Sequence, residues 1–399
     1  MFFPNRNNGL ERLKTFAPHS GRDYARLRNY DLGPGRHFHV SGLSPYLRHR
    51  LISEEEVVRT VLNHHSRAAA EKFVHEVFWR SYWKGWLELR PEVWTRYRAD
   101  LVRALDRTKV ESGLRQRWKD ACQGETGIDC FDHWAKELRD TGYLHNHARM
   151  WFASIWIHTL NLPWALGADF FLRHLLDGDP ASNTLGWRWV GGLQTIGKTY
   201  LARPDNIRKY TENRFSPKGL ATTAHPLQSE EHPPRGPAPQ HRDWKPLERV
   251  GVLVHDDDLN LKPLFKSDVY PVSFACLLTC EQRSPLAISE DVIGFAKGAV
   301  QDTANRWADR LGADGGLHRT LDPIVSWAQK FELDQVVTPY GATGPAKEML
   351  DDLETRLSTL GIPLVRVVNP YDSMTWPHAT HGFFRFKDSI PAFLDDMGI

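Results

Sequence analysis

Residues 141–203 concentrate the side chains that are best suited to chemistry in this 399-residue chain. The segment holds five Trp, a His-Asn-His cluster at 145–147 and an Asp-Gly-Asp triplet at 177–179. An amphipathic core helix does not need so many indoles, because each is costly to bury unless its N–H finds a partner or its ring stacks on another flat group. The segment therefore predicts either well-partnered indoles or a large, flat group against which they stack.

The same segment resembles the flavin-binding heart of the photolyase/cryptochrome family. TGYLHNHARM at 141–150 is similar to that family's TGW-HN--RM, and DGDPASNTLGWRW at 177–189 is similar to its DGD-A-N--GW-W. The resemblance extends over roughly residues 10–215. It implies a helical domain that binds FAD noncovalently in a bent shape.

Two motifs near the start of the chain resemble the family's Y---R…TS-LSPYL pattern. They are YARLR at 24–28 and SGLSPY at 41–46, with Val40 where the family has Thr. Small hydroxyls with their backbone N–H groups suit phosphate oxygens, and a cation neutralises the charge. The resemblance assigns the FAD pyrophosphate to Tyr24, Arg28, Ser41, Leu43 and Ser44. The alternative is a loop that only caps the next helix.

The segment EVFWRSYW at 76–83 is similar to the family's E--WREFY, with Ser81 in place of the acid. On a helix, four of its side chains are expected on one face: Glu76, Trp79, Arg80 and Trp83. The resemblance implies that Glu76 hydrogen-bonds the damaged base pair, Trp79 stacks on it, and Arg80 approaches the flavin phosphates. Without the resemblance, the pattern is typical of a core helix whose Arg extends to solvent.

Residues 145–150 carry the evidence on lesion type. The resemblance places Asn146 and Met150 where photolyases that split cyclobutane dimers have Asn and Met, whereas the (6-4) branch has His in place of Asn146. It implies that Asn146 contacts both the flavin and the substrate. His147 departs from the family, and is either a second titrating group near the substrate or a His satisfied in the core.

The Asp-Gly-Asp segment is expected to hold the flavin itself. By resemblance, Asp177 and Asp179 bond the ribityl chain and ring edge, and Arg149 pairs with Asp177. Asn183 would face the flavin N5, where a neutral amide does not readily donate a proton. Because plant cryptochromes carry Asp there, Asn183 favours repair.

Three Trp of this segment have functional assignments by resemblance. Trp187 and Trp164 match the proximal and middle members of the family's photoreduction chain, and Trp189 would stack on the flipped base. The distal position falls near Glu111, where no Trp stands. The open substitutes are Trp118, Trp134 and Trp156.

Charge is distributed unevenly along the chain. Residues 1–215 contain 33 Lys+Arg and 24 Asp+Glu, whereas the remainder contains 18 and 25, although the net charge is only +2. Eleven of the 15 Trp also lie in the first part. A basic, Trp-rich half suggests contact with a polyanion, and a merely solvated basic surface is the equal alternative on charge alone. The family resemblance implies that the polyanion is UV-damaged DNA.

The sequence argues against a membrane-spanning or secreted protein. There is no apolar run of about 18 residues, and the start lacks the apolar core of a secretory signal. The four Cys have neither zinc-type nor redox spacing, so we expect plain core thiols, no metal and a cytoplasmic monomer.

The pattern changes after residue 215. Residues 216–248 are rich in Pro, His and Gly and are predicted to be a linker between domains 1–215 and 249–399. Strands at 250–254, 336–338 and 363–368 alternate with helices at 289–311, 323–331 and 345–360, which predicts a Rossmann-like, doubly wound α/β domain. HDDDLNL follows the first strand instead of a Gly-rich loop, so nothing local supports nucleotide binding there. VGVLVHDDDLNLKPL and THGFFRFKDSIPAF resemble the family's α/β domain, which implies that the usual domain order is reversed.

The resemblance implies light-dependent splitting of cyclobutane pyrimidine dimers by an electron from photoexcited, reduced FAD. Glu76, Asn183, Trp164 and Trp187 are the expected catalytic residues. The alternatives are a cryptochrome-type photoreceptor that binds FAD without repair, and a flavin-binding structural relic.

Overall fold

Helices provide the regular structure of the first 215 residues in the computed structural model, which describes residues 1–228, 231–240, 242, 244–246, 249–265 and 270–399. They are α1 (Arg6–Phe16), α2 (Arg22–Leu27), α3 (Ser44–Arg48), α4 (Glu54–His64), α5 (Arg67–Glu88), α6 (Glu92–Val110), α7 (Ser112–Gln123), α8 (Asp129–Thr141), α9 (Asn146–Ser154), α10 (Trp164–His174), α11 (Pro180–Val190) and α12 (Pro204–Tyr210).

Local signals set the ends of these helices. Ser53 and Glu56 form a capping box at the start of α4, so two N–H groups at that end are satisfied. Asp179 caps α11 through Ser182, and Pro180 occupies the first turn, where no N–H is needed. A π-helical turn at Ile155–Thr159 continues α9.

The second part contains one parallel sheet. Within the described residues its five strands run in the order β3-β2-β1-β4-β5. They are β1 (Val250–His255), β2 (Ser273–Leu277), β3 (Ala313–His318), β4 (Gln335–Pro339) and β5 (Leu364–Val367). The helices are α13 (Glu290–Arg306), α14 (Ala308–Leu311), α15 (Asp322–Lys330), α16 (Pro345–Ser358), α17 (Pro370–Thr375), α18 (Phe383–Lys387) and α19 (Ile390–Asp396).

Successive side chains of β1 pack on opposite faces of the sheet. Val252 and Val254 belong to a core shared with α13, whereas Leu253 packs with α15 and α16. Helices therefore cover both faces, and the predicted doubly wound α/β fold beside a helical domain is confirmed. Strands β2 and β3 were not predicted.

The two parts share one hydrophobic core. After the sheet, the chain returns to α5, where Phe383 and Phe386 of α18 contact Tyr82. Between 216 and 248, the residues that the structure describes form neither helix nor strand. No helix within the described ranges has the length and apolar character needed to cross a lipid bilayer.

Candidate functional site

Arg149 and Asp177 form a two-pronged ion pair inside the helical domain. Arg149 Nη1 and Nη2 donate to Asp177 Oδ1 and Oδ2 over 3.0 and 2.8 Å, and Nε donates to the Leu144 carbonyl over 3.0 Å. The Asp177 side chain is 3% exposed and that of Arg149 is 23% exposed. Burial opposes the charge on Arg149, but Asp177 outweighs it and the pKa of Arg149 is raised.

Asp179 lies at the start of α11 among three cations. Its Oδ1 accepts from Ser182 N over 2.7 Å. Burial alone would raise the pKa of Asp179, but Lys84, Arg80 and Arg48 together lower it. The buried carboxylate therefore stays charged and acts as a hydrogen-bond acceptor.

Arg80 reaches from α5 to the end of α3. Its Nη2 donates to the carbonyls of Leu47 and Arg48 over 2.9 and 3.2 Å. Its Nη1 is buried without a hydrogen-bond partner among the described residues, 3.6 Å from Glu54 Oε1. A buried N–H of this kind fits an anionic or carbonyl oxygen of a ligand.

The loop before α3 has the predicted small side chains on a tight backbone. Ser41 Oγ accepts from Leu43 N over 3.3 Å, and Gly42 has a φ of 61°. Ser41 and Ser44 are half-buried, whereas Leu43 is buried. Ser44 is also the first residue of α3, but the N-cap position, Leu43, forms no side-chain capping hydrogen bond, so the structure does not support the alternative that this loop only caps the helix.

A cavity of about 800 Å³ lies beside this loop. Val40 and Gly42 of the loop line it. Tyr143, which precedes α9, Leu176, which precedes Asp177, and Phe295 of α13 also line it. This space therefore lies between the two parts of the chain, and none of the residues predicted to contact FAD or the lesion is among its lining residues.

A second ion pair, between Arg28 and Glu76, lies closer to solvent. The side chains are 30% and 31% exposed. Tyr24 is buried beside them. Burial raises the pKa of its hydroxyl group, and the negative charge of Glu76 raises that pKa further. His147 Nδ1 lies 3.2 Å from the Asn29 carbonyl, which joins the end of α2 to the start of α9.

The remaining lesion-contact candidates lie on α9 and α11. Asn146 is exposed and Met150 half-buried on α9. Trp189 is half-buried, and its ring stacks on Tyr200 with centroids 5.5 Å apart. These three residues are therefore polar, sulfur-containing and aromatic groups that are at least partly open to solvent.

Trp79 differs from the expected arrangement. Its ring stacks on Phe383 of α18 at 3.7 Å and 11°, and it contacts Trp83 at 5.1 Å. Glu76 and Arg80 instead contact α2 and α3. The four side chains expected on one face of α5 thus divide between the site and the C-terminal helices, because α18 offers a phenyl ring to the indoles.

Trp187 lies in the core behind Asn183. It is 2% exposed, and its centroid is 6.0 Å from that of Trp156. Gly167 makes room for it, because a Cβ there would stand 2.3 Å from Trp187 Cη2. Asn183 is buried and donates through Nδ2 to the Ala168 carbonyl over 2.9 Å.

Trp164 contacts residues that the sequence analysis missed. Its ring lies 5.5 Å from Tyr97, which in turn lies 5.2 Å from Trp94. The spacing of Trp94 and Tyr97 on α6 was a usable signal, because residues three apart share a helix face. Among the proposed distal Trp, Trp156 contacts Trp187, whereas Trp134 stacks on Trp151.

Comparison with known proteins matches residues 73–219 to a family described as the FAD binding domain of DNA photolyase. The chain is 28% identical over 218 residues to a deoxyribodipyrimidine photo-lyase of Vibrio cholerae, covering 52% of this chain and 43% of the relative. It is 32% identical over 195 residues to that of Streptomyces griseus, covering 46% and 41%. The chain thus spans less than half the length of these relatives.

Two solved structures were also compared. A class III photolyase from Agrobacterium tumefaciens matches with 26% identity and a TM-score of 0.43, covering 52% of this chain and 43% of that one. A Synechocystis cryptochrome matches with 22% identity and a TM-score of 0.42, covering 52% and 43%. The family match at residues 73–219 confirms the predicted photolyase/cryptochrome resemblance and a photolyase-type FAD-binding domain.

Proposed function

We propose that this photolyase/cryptochrome relative is a light-dependent DNA-repair enzyme that splits cyclobutane pyrimidine dimers in UV-damaged DNA. The observation that carries the proposal is the difference in burial between the Arg28–Glu76 pair, in which both side chains are about a third exposed, and the Arg149–Asp177 pair, in which Asp177 is only 3% exposed. A permanently bound cofactor needs the buried pair, whereas a substrate that enters and leaves needs accessible groups.

The buried residues fit FAD. Arg149 and Asp177 would lie against the flavin, Asp179 would accept from its N–H or hydroxyl groups, and Nη1 of Arg80, which makes no hydrogen bond to the described residues, would donate to an oxygen. Tyr24, Ser41, Leu43 and Ser44 would hold the phosphates. When bound and reduced, FAD supplies the electron that opens the cyclobutane ring under blue light.

The half-exposed residues would hold the lesion. Glu76 would hydrogen-bond the dimer, Asn146 and Met150 would contact its bases, and Trp189 would stack on one of them. Because one face of Trp79 stacks on Phe383 and its ring also contacts Trp83, we assign base stacking to Trp189 and only a minor contact to Trp79. Flipping the dimer out of the duplex costs a few kcal/mol, least for a damaged pair.

The proposed partner is UV-damaged DNA, bound by a monomer in the cytoplasm. Residues 1–215 contain 33 Lys+Arg against 24 Asp+Glu. This excess of basic residues supports DNA binding, because phosphate contacts dominate DNA affinity. Binding should therefore weaken as the salt concentration rises.

A second candidate is a cryptochrome-type photoreceptor that binds FAD without repair. The contact of Trp79 with Phe383 favours it, because one expected lesion-stacking ring is occupied by the chain itself. The residues Glu76, Asn146, Met150 and Trp189 favour repair, because a sensor does not need a lesion pocket.

The test uses full-length protein with chemically reduced FAD and an oligonucleotide that carries one cyclobutane dimer. We expect loss of the dimer under blue light and none in the dark, together with tighter binding of damaged than undamaged DNA. Protein that holds FAD but splits no dimer would reject repair in favour of the photoreceptor.

A further inference from the structure

The carboxyl edge of the parallel sheet faces the helical part of the chain. In open α/β sheets, ligands usually bind outside these strand ends, where the strand order reverses. Here β1 and β4 flank that reversal. After β4, Thr343 N donates to Glu88 of α5 over 2.8 Å. The crevice that would receive a ligand is therefore occupied by protein.

Asp257, just after β1, is joined to the Asp-Gly-Asp segment by Arg48. Arg48 Nη1 lies 2.8 Å from Asp257 Oδ1, and Arg48 Nε donates to the Gly178 carbonyl over 3.0 Å. Arg48 Nε also lies 3.9 Å from Asp179 Oδ2. Arg48 and Asp257 are 3% and 5% exposed at their side chains, so solvent screens this chain of contacts weakly.

Lys84 of α5 completes this cluster, with Nζ 3.7 Å from Asp257 Oδ2. Burial alone would raise the pKa of Asp257, but Lys84 and Arg48 lower it strongly. Without this carboxylate, Arg48 would lose the strongest of the negative charges that balance it and would keep only the weaker influence of Asp179 and Asp256.

Arg283, after β2, reaches the same segment from the other side. It is 1% exposed, and its Nη1 donates to the Leu175 carbonyl over 3.4 Å. A Cβ on Gly178 would stand 3.0 Å from that Nη1, so Gly178 and Arg283 are in close contact. Arg283 thus contacts residues 175–179 directly, whereas Asp257 is joined to them through Arg48.

The neighbouring Asp258 has a different connection. It pairs with Arg50 over 2.6 Å, and Arg50 also pairs with Glu54 and Asp372 over 3.0 and 2.6 Å. None of these partners of Arg50 belongs to the Asp-Gly-Asp segment. Asp257 and Asp258 are therefore adjacent, equally buried residues that differ in whether their arginine reaches that segment.

We infer that Asp257 and Arg283 are positioning residues for FAD, and that the α/β domain fixes the flavin-binding segment of the helical domain instead of binding a nucleotide at its own strand ends. The inference rests on FAD binding by the helical domain as proposed above. Because the Arg48 contacts connect the two parts, FAD binding and docking of the α/β domain stabilise each other reciprocally.

The test compares full-length Asp257→Asn and Asp258→Asn proteins with wild type. FAD affinity is measured on apoprotein by quenching of FAD fluorescence, and unfolding of each apoprotein is followed thermally. We expect both variants to unfold at lower temperature, but only Asp257→Asn to weaken FAD binding, by about tenfold or more.

Unchanged FAD affinity in Asp257→Asn, or an equal loss in Asp258→Asn, would overturn the inference. If Asp257→Asn does not fold, Arg283→Lys replaces it, with the same expected loss of FAD affinity and the same criterion for rejection. Wild-type apoprotein that binds no FAD would instead reject the cofactor proposal itself.

Discussion

The inner and outer sides of the candidate site differ in how their charges are held. The inner side comprises Arg149, Asp177 and Asp179, and the outer side comprises Arg28, Glu76, Asn146, Met150 and Trp189. Asp177 is 3% exposed at its side chain, whereas Glu76 is 31% exposed. The inner charges are paired and fixed, which suits a cofactor that stays. The outer groups are accessible, which suits a ligand that is exchanged.

Burial also sets the energetic consequence of losing a charge. Removing one member of a buried pair leaves an uncompensated charge and costs about 3–5 kcal/mol. Pairs that are partly open to solvent are worth much less, because water and salt screen them. Substitutions should therefore affect cofactor retention on the inner side and substrate handling on the outer side.

The largest effect is expected from Asp177→Ala. Loss of the Arg149 partner should weaken FAD binding by more than a hundredfold, since about 3–5 kcal/mol corresponds to that factor or more. FAD content after purification and a fluorescence titration of the apoprotein measure it. Glu111→Ala, which breaks an exposed pair with Arg107, is the control. FAD retention in Asp177→Ala equal to that of the control would contradict the assignment of the inner side.

Electron transfer provides the next test. Trp187→Phe should abolish or greatly slow photoreduction of oxidised FAD, because Phe cannot replace the nearest indole as donor. Trp164→Phe should impair it too. Flavin absorption during blue illumination is the measurement, and chemically reduced enzyme should still split dimers in both variants. Wild-type photoreduction in Trp187→Phe would show that the electron path runs elsewhere.

Trp189→Ala tests the outer side. Losing the ring should weaken binding of dimer-containing DNA by about 1–3 kcal/mol, the usual value of stacking one base on an aromatic ring. Titration of damaged and undamaged oligonucleotides at fixed salt measures the difference. FAD content should not change. Equal weakening for both oligonucleotides would mean that Trp189 does not contact the lesion.

Glu76→Ala should act on the reaction more than on binding. Its carboxyl group is expected to stabilise the extra electron on the dimer through a hydrogen bond, so dimer splitting should fall by about tenfold. Two measurements are compared: the rate of dimer splitting at saturating DNA and the affinity for dimer-containing DNA. The loss in rate should exceed the loss in affinity. A variant that loses affinity but splits bound dimers normally would assign Glu76 to binding alone.

The smallest effect concerns His147, between the two sides. Burial lowers its pKa to about 4, below the ordinary value of about 6.5. Because the folded-state pKa is the lower one, the neutral ring stabilises the fold above about pH 6.5, and that stability is lost as pH falls through about 4. The thermal midpoint should therefore fall over this range, and less steeply in His147→Gln. Exposed His19→Gln is the control, and identical pH profiles of both variants would refute this role of His147.

How far the sequence predicts these features depends on how local they are. The resemblance of two motifs to the family implies the contact between Arg149 and Asp177. The spacing of Ser53 and Glu56 is a local signal for the cap of α4. The contact between Trp79 and Phe383 joins residues 304 positions apart, so no local pattern indicates it. Strand β3 is ADGGLH, which has no apolar alternation, and it forms through pairing with β2. Long-range packing therefore decided what the motifs left open.

The absorption spectrum of the purified full-length protein, before and after blue light, tests the central claim most directly. We predict yellow protein with the bands of oxidised flavin, which bleach under blue light in the presence of an electron donor. Colourless protein that does not take up FAD on reconstitution would contradict the account.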